Sequence, residues 1–208
     1  MKYDIMLAGV GGQGVLSMAA IIGRAALAEG LFANQSEVHG MAQRGGAVQA
    51  HLRLSDRPIE SDLIALGTAH LILSLEPVES LRYVAYLSPT GTLVTASNPF
   101  VNIPNYPPVE DILARVRSLP HALIVEAERI AMEAGDIQTL NTVMVGAVAR
   151  LLPLRMESIE KAVRDTFGSK GESVLTANLA ALRGGGMAAE AGPGSDAAPA
   201  SAAPGAGT

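Results

Sequence analysis

The sequence predicts an α/β fold: a Rossmann-like open sheet, mostly parallel, with one antiparallel strand after its second glycine loop and a helical segment toward the C-terminus. Three observations predict it. Residues 1–30 read as a buried strand, a glycine turn and a helix, and strand-helix alternation resumes from Asp62. Only eight residues, HGMAQRGG at 39–46, separate the second strand from the third. A helical crossover between parallel strands takes about a dozen residues or more, so the third strand must run antiparallel to the second.

Taken in order, Ile5, Met6, Leu7 and Ala8 form a short apolar run, the mark of a buried strand. Gly9, Gly11 and Gly14 then fall on the GxGxxG spacing, with Gly12 as an extra glycine. Glycines here let the chain turn tightly, a ligand approach the backbone and the next helix sit close to the strand. That helix spans residues 13–29 with Gly30 as its stop, and its exposed side carries only Arg24 and Glu29. Residues 31–38 make the second strand, and 47–54 (AVQAHLRL) alternate with period two as a half-buried third. Further strands are expected at 71–75, 91–96 and 121–126, with helices at 77–87, 111–118 and 127–134. Four prolines make 97–111 mostly extended loop. Helices at 139–152, 157–166 and 172–183 complete a domain over 1–186, and residues 187–208 read as a disordered Gly/Ala/Pro-rich tail.

Composition excludes several functions. The chain of 208 residues is 49% hydrophobic and 17% charged, enough for one well-buried domain and too little for two. A net charge of −5, no basic run and 3% aromatics leave no footprint for nucleic acid. The absence of Cys rules out disulfides, thiolate catalysis and Cys-ligated iron–sulfur clusters within this chain. No leader pattern or apolar run of roughly 18 residues is present, so a cytoplasmic protein with no membrane partner is expected.

Two glycine-rich segments are the candidate site. The first free amides of the opening helix, near Gly12 to Val15, point at whatever occupies the turn, where the helix dipole favours an anion. The second segment, residues 36–46, leaves the carboxyl end of the second strand. If the first two strands are neighbours, both loops share one rim, and Arg44 with the amides of Gly45 and Gly46 faces the start of the helix. Gly9, Gly11, Gly12, Gln13, Gly14, Glu37, His39, Arg44, Gly45 and Gly46 thus form a candidate rim for an anion, for coenzyme A or for a subunit contact. The plainer alternative is a tight corner, with Arg44 capping carbonyls. Glu37 lies near the distance expected of a ribose-binding acid but precedes a glycine loop, which weakens a NAD reading. The four histidines show no metal-ligand pairing, no GxSxG elbow appears, and no catalytic residue is assigned.

GVGGQGV at 9–15 followed by EVHGMAQRGGAV at 37–48 resembles the gamma-type subunits of the 2-oxoacid:ferredoxin oxidoreductases, and within them the beta subunits of the indolepyruvate type. The resemblance extends through LNTVMVGAVARLL and KGESVLTANLAALRGG and covers residues 1–185. It implies a complex that oxidatively decarboxylates arylpyruvates such as indolepyruvate, with coenzyme A as acyl acceptor and ferredoxin as electron acceptor. It places thiamine diphosphate and the iron–sulfur clusters in a large alpha subunit, leaving this chain with no stably bound cofactor. Its glycine loops then touch coenzyme A phosphates or pack against the alpha subunit. The rival of another class is a stand-alone NAD(P)- or flavin-binding oxidoreductase.

Overall fold

The computed structural model describes residues 1–39, 45–101 and 103–191. Along the chain run β1 (Lys2–Val10), α1 (Val15–Ala28), β2 (Phe32–His39), β3 (Ala47–Ser55), β4 (Ala69–Ser74), α2 (Pro77–Arg82) and β5 (Leu87–Ala96). There follow α3 (Val109–Arg117), β6 (Ala122–Val125), α4 (Ala127–Glu133), α5 (Leu140–Val148), α6 (Met156–Phe167) and α7 (Glu172–Ala191). The strands form one six-stranded sheet in the order β2-β3-β1-β4-β5-β6.

β1 is apolar without alternation because helices cover both its faces. Ile5 and Leu7 join the larger core with residues of α1, α5, α6 and α7, while Met6 points the other way, to Ile72, Leu93 and Val116. β3 keeps the alternation of a strand with unlike faces: Val48, Ala50, Leu52 and Leu54 enter the larger core. β4 pairs parallel with β1, and β5 and β6 continue the parallel set.

β3 is antiparallel to β2, as the short connection requires, and antiparallel to β1 from Lys2↔Ser55 to Val10↔Ala47. It therefore lies between β1 and β2, which corrects the expectation that the first two strands are neighbours. Both still run in one direction, so their carboxyl ends share a rim, now with the start of β3 between them.

Three boundaries also differ. The stretch 77–87 is not one helix: α2 ends at Arg82, a short 3-10 turn spans Val84–Tyr86, and β5 begins at Leu87. β5 starts four residues before the expected Gly91 and takes in Pro89, with a register shift against β4. α7 continues through Gly184, Gly185 and Gly186 to Ala191, five residues beyond the expected end of the domain. Its glycines are a packing surface. A Cβ on Gly146 of α5 would lie 2.1 Å from Leu182 O, and one on Gly185 would lie 1.9 Å from Val143 O. Two helices can approach this closely only where the side chains are absent. Residues 192–208 of the expected tail lie outside the described residues.

Candidate functional site

The switch point of the sheet lies between β1 and β4. α1, leaving β1, packs in the larger core, whereas the helices after β4 and β5 cover the other face. In open α/β sheets the crevice at the carboxyl ends of two such strands is where ligands bind.

The first glycine turn forms one side of this crevice. Gln13 N–H donates to Val10 O at 3.0 Å and closes the turn. The Gln13 side chain folds back as a brace: its Oε1 accepts Val10 N–H at 2.8 Å, and its Nε2 donates to Leu75 O at 3.3 Å, just past the end of β4. Gln13, expected on the ligand side of the rim, thus spends its amide on holding β1 and β4 together. The second glycine segment docks on the first through backbone bonds: Gly11 N–H donates to Gly46 O at 2.8 Å, and Gly45 N–H donates to Gly11 O at 3.3 Å.

Gly14 caps α1 from the left-handed region, φ 87° and ψ 30°, with no side-chain cap, and the first turn of α1 holds no acidic residue. A Cβ there would sit 2.8 Å from Asn141 Nδ2, so glycine also leaves room for this amide. Asn141, 8% exposed, is turned by its Oδ1, which accepts Thr142 N–H at 2.9 Å. Thr142 in turn donates to Asn178 Oδ1 at 2.6 Å. Among the described residues, neither Asn141 Nδ2 nor the N–H groups of Gly14, Val15 and Leu16 meet an acceptor. The Asn141 amide thus stands beside the positive end of the α1 dipole, an arrangement suited to an oxyanion. The sequence reading missed Asn141; its one signal was a polar Asn-Thr pair opening an otherwise apolar small-residue helix.

The β4–α2 turn forms the other side. Glu76 is buried and caps α2, accepting Glu79 N–H at 2.8 Å. It also accepts the Phe100 N–H at 3.4 Å and the Tyr106 hydroxyl. Burial, and then the bond to Glu76, push the Tyr106 phenol well above its usual pKa. Burial likewise raises Glu79, with Arg82 at 2.9 Å pulling it back.

Other expected site residues stand apart. Glu37 is exposed on β2, bonded by Gln35 Nε2 at 3.3 Å and separated from β1 by β3. His39 closes β2 opposite Val48, its side chain outside the described residues, and Arg44 lies outside them altogether. His51 is a satisfied core residue: its Nδ1 accepts Ile64 N–H at 3.0 Å. Among the described residues no three His, Asp or Glu side chains gather to hold a metal, and the full sequence offers no thiolate for an iron–sulfur cluster. No helix of the described residues is long and apolar enough to cross a membrane.

The profile of the pyruvate ferredoxin/flavodoxin oxidoreductase family matches residues 4–188. Indolepyruvate oxidoreductase subunit IorB of Archaeoglobus fulgidus is 37% identical over 193 residues, which is 88% of this chain and 93% of that protein. The gamma subunit of a keto/oxoacid ferredoxin oxidoreductase from Geobacter sulfurreducens superposes with a TM-score of 0.69 at 25% identity, covering 91% of this chain and 99% of that one. A 2-oxoglutarate:ferredoxin oxidoreductase from Magnetococcus marinus shares the fold with a TM-score of 0.73 at 22% identity. The match takes in 92% of this chain but only 32% of that longer one.

Proposed function

The chain belongs to the pyruvate ferredoxin/flavodoxin oxidoreductase family, and from that premise we propose that it is the smaller subunit of an indolepyruvate-type (arylpyruvate):ferredoxin oxidoreductase. In the proposed reaction the bond between the carboxyl and keto carbons breaks to release CO2, a thioester forms on coenzyme A, and the electron pair passes to ferredoxin. Thiamine diphosphate and the clusters supply that chemistry from the larger alpha subunit; with no Cys, this chain has no donor set for a cluster. The cytoplasm is the proposed compartment.

The role proposed for this chain's own residues is to hold coenzyme A by its phosphates. One observation carries it: at a helix N-terminus without acidic residues, Asn141 Nδ2 lies against Gly14, and among the described residues neither it nor the N–H groups of Gly14, Val15 and Leu16 meet an acceptor. Phosphate oxygens there would accept from several fixed donors at once, orienting the coenzyme while its thiol reaches the partner's active site.

Asn141→Asp tests this in the assembled enzyme. It keeps the shape and replaces a donor with a negative charge, so the KM for coenzyme A should rise about ten-fold or more while complex formation is kept. If the loops serve only to dock the alpha subunit, Asn141→Asp leaves that KM alone, or the complex falls apart. Tight binding of NAD or FAD by the isolated chain would favour the stand-alone reading instead.

A further inference from the structure

Leu75 and Glu76, which carry the chain from β4 into α2, reach to opposite sides of the crevice. On the glycine side, Leu75 O accepts Gln13 Nε2. On the β5 side, the Glu76 carboxylate gathers Phe100 N–H and the Tyr106 hydroxyl from the segment 97–108, besides capping α2. Ser74 locks the turn between them: its Oγ accepts Glu76 N–H at 3.2 Å and donates to Glu76 O at 2.7 Å.

Glu76 is only 1% exposed, and among the described residues no cation pairs with it, since Arg82 is taken by Glu79. A carboxylate withdrawn from water without a counter-ion is costly unless its oxygens are fully used, and these are. The segment it holds contains no charged residue. Phe100, Val101 and Ile103 are 42%, 67% and 39% exposed. An uncharged, proline-rich strip exposing apolar side chains has little burial of its own to fix it, so beyond Ser97 N–H on Val125 O at 2.8 Å its placement leans on the two bonds at Glu76.

We propose that Glu76 and Tyr106 are a positioning pair for the glycine pocket. They hold Phe100 and Tyr106, between β5 and α3, on the β5-side wall of the crevice. Through the locked 74–76 turn and Leu75 O, they also fix Gln13 and the glycine turn that Gln13 braces. Neither side chain touches the coenzyme; together they set how well its site is formed. The inference rests on the reading of that pocket as the phosphate site for coenzyme A.

The test uses the assembled enzyme with coenzyme A as the varied substrate and indolepyruvate saturating. Tyr106→Phe removes one hydroxyl and keeps the ring, so it folds even if Glu76→Gln does not. The KM for coenzyme A should rise about five-fold, the effect of one hydrogen bond, with kcat within about two-fold of wild type. Glu76→Gln should raise KM further, and the double variant should match Glu76→Gln alone, since the pair acts as a unit. Hydrogen exchange should quicken both at 97–108 and at 11–16 in the free complex. Quickened exchange at 97–108 with an unchanged KM, additive effects, or a loss confined to kcat would overturn the proposal. If coenzyme A fails to protect 11–16 in the wild type, the phosphate reading falls instead, and quickening confined to 97–108 would then refute the brace by itself.

Discussion

Gly185 and Gly186 are adjacent on α7, and alanine at each should shift stability in opposite directions. A methyl at 186 meets nothing closer than Gly146 O at 3.8 Å, so only helix propensity acts. Alanine is favoured over glycine by about 1 kcal/mol inside a helix, which for a chain of this size raises Tm by roughly 2–4 °C. A methyl at 185 would lie 1.9 Å from Val143 O and 2.9 Å from Ala147 N, both backbone atoms that cannot rotate aside. α5 and α7 must then separate by more than about 1 Å, an over-packing cost of ~3 kcal/mol that outweighs the propensity gain. Gly185→Ala should therefore lose about 2 kcal/mol net and lower Tm by roughly 4–8 °C. Urea and thermal unfolding of the two variants beside wild type measure this. A Gly185→Ala protein as stable as Gly186→Ala would show that the helices do not meet backbone to backbone.

Three further outcomes follow from the same geometry. Gln13→Leu strands the Val10 N–H and Leu75 O and should cost roughly 1–3 kcal/mol in unfolding, with a raised KM for coenzyme A in the complex; wild-type values for both would refute the brace. Arg53→Met leaves Asp4, fully buried and bonded at 2.9 Å, with the exposed Lys2 as its one remaining ion-pair partner among the described residues, and frees the carbonyls of Ser61 and Leu63. Breaking a buried pair this way should cost about 3–5 kcal/mol, read by chemical denaturation, and a loss under about 1 kcal/mol would contradict it. Burial holds the His51 imidazole below its ordinary value of 6.5, and its Nδ1 accepts a backbone N–H, so the folded ring stays neutral. The unfolded chain takes up that proton first. Stability is unaffected above the unfolded pKa and falls as pH drops through it, at a limiting slope of about 1.4 kcal/mol per pH unit. Unfolding free energies of wild type and His51→Gln between about pH 7.5 and 5.5 should converge on acidification, and parallel curves would refute the assignment.

Local chemistry was legible where it had one solution. The eight residues before β3 admit only a reversal, and the GxGxxG spacing admits only a strand, a turn and a helix. Sequence failed where a residue's meaning depends on a distant neighbour. The last helix is expected to end at residue 183, before three glycines that weaken an isolated helix, yet α7 runs on through them and Gly185, with Gly146 opposite, is what lets α7 reach α5. The strand expected from Gly91 begins at Leu87, because the shifted register against β4 admits Pro89. At the site, Gln13 had the composition of a ligand residue, and only its proximity to Leu75, 62 positions away, turned it into a brace. Asn141 and Glu76 belong to no motif and enter the crevice through packing.

The position of β3 decides what the first glycine turn can recognise. In a dinucleotide fold the strand beside β1 runs parallel to it and ends on an acid that takes a ribose hydroxyl pair. Here the neighbour is antiparallel, so what reaches the turn is the start of a strand, Gly45 and Gly46, bonded by backbone to Gly11. Glu37 is displaced to the next strand, about 10 Å from the axis of β1 at ordinary strand spacing. The carboxylate that would favour a ribose has thus moved away. Among the described residues, what stands around Gly14 is the helix amides, the Asn141 amide and the Ser17 hydroxyl, with no carboxylate. On the proposed coenzyme A reading, such a pocket would take a phosphate and offer little to the sugar beyond it, so that a glycine motif shared with NAD enzymes would here serve a different ligand.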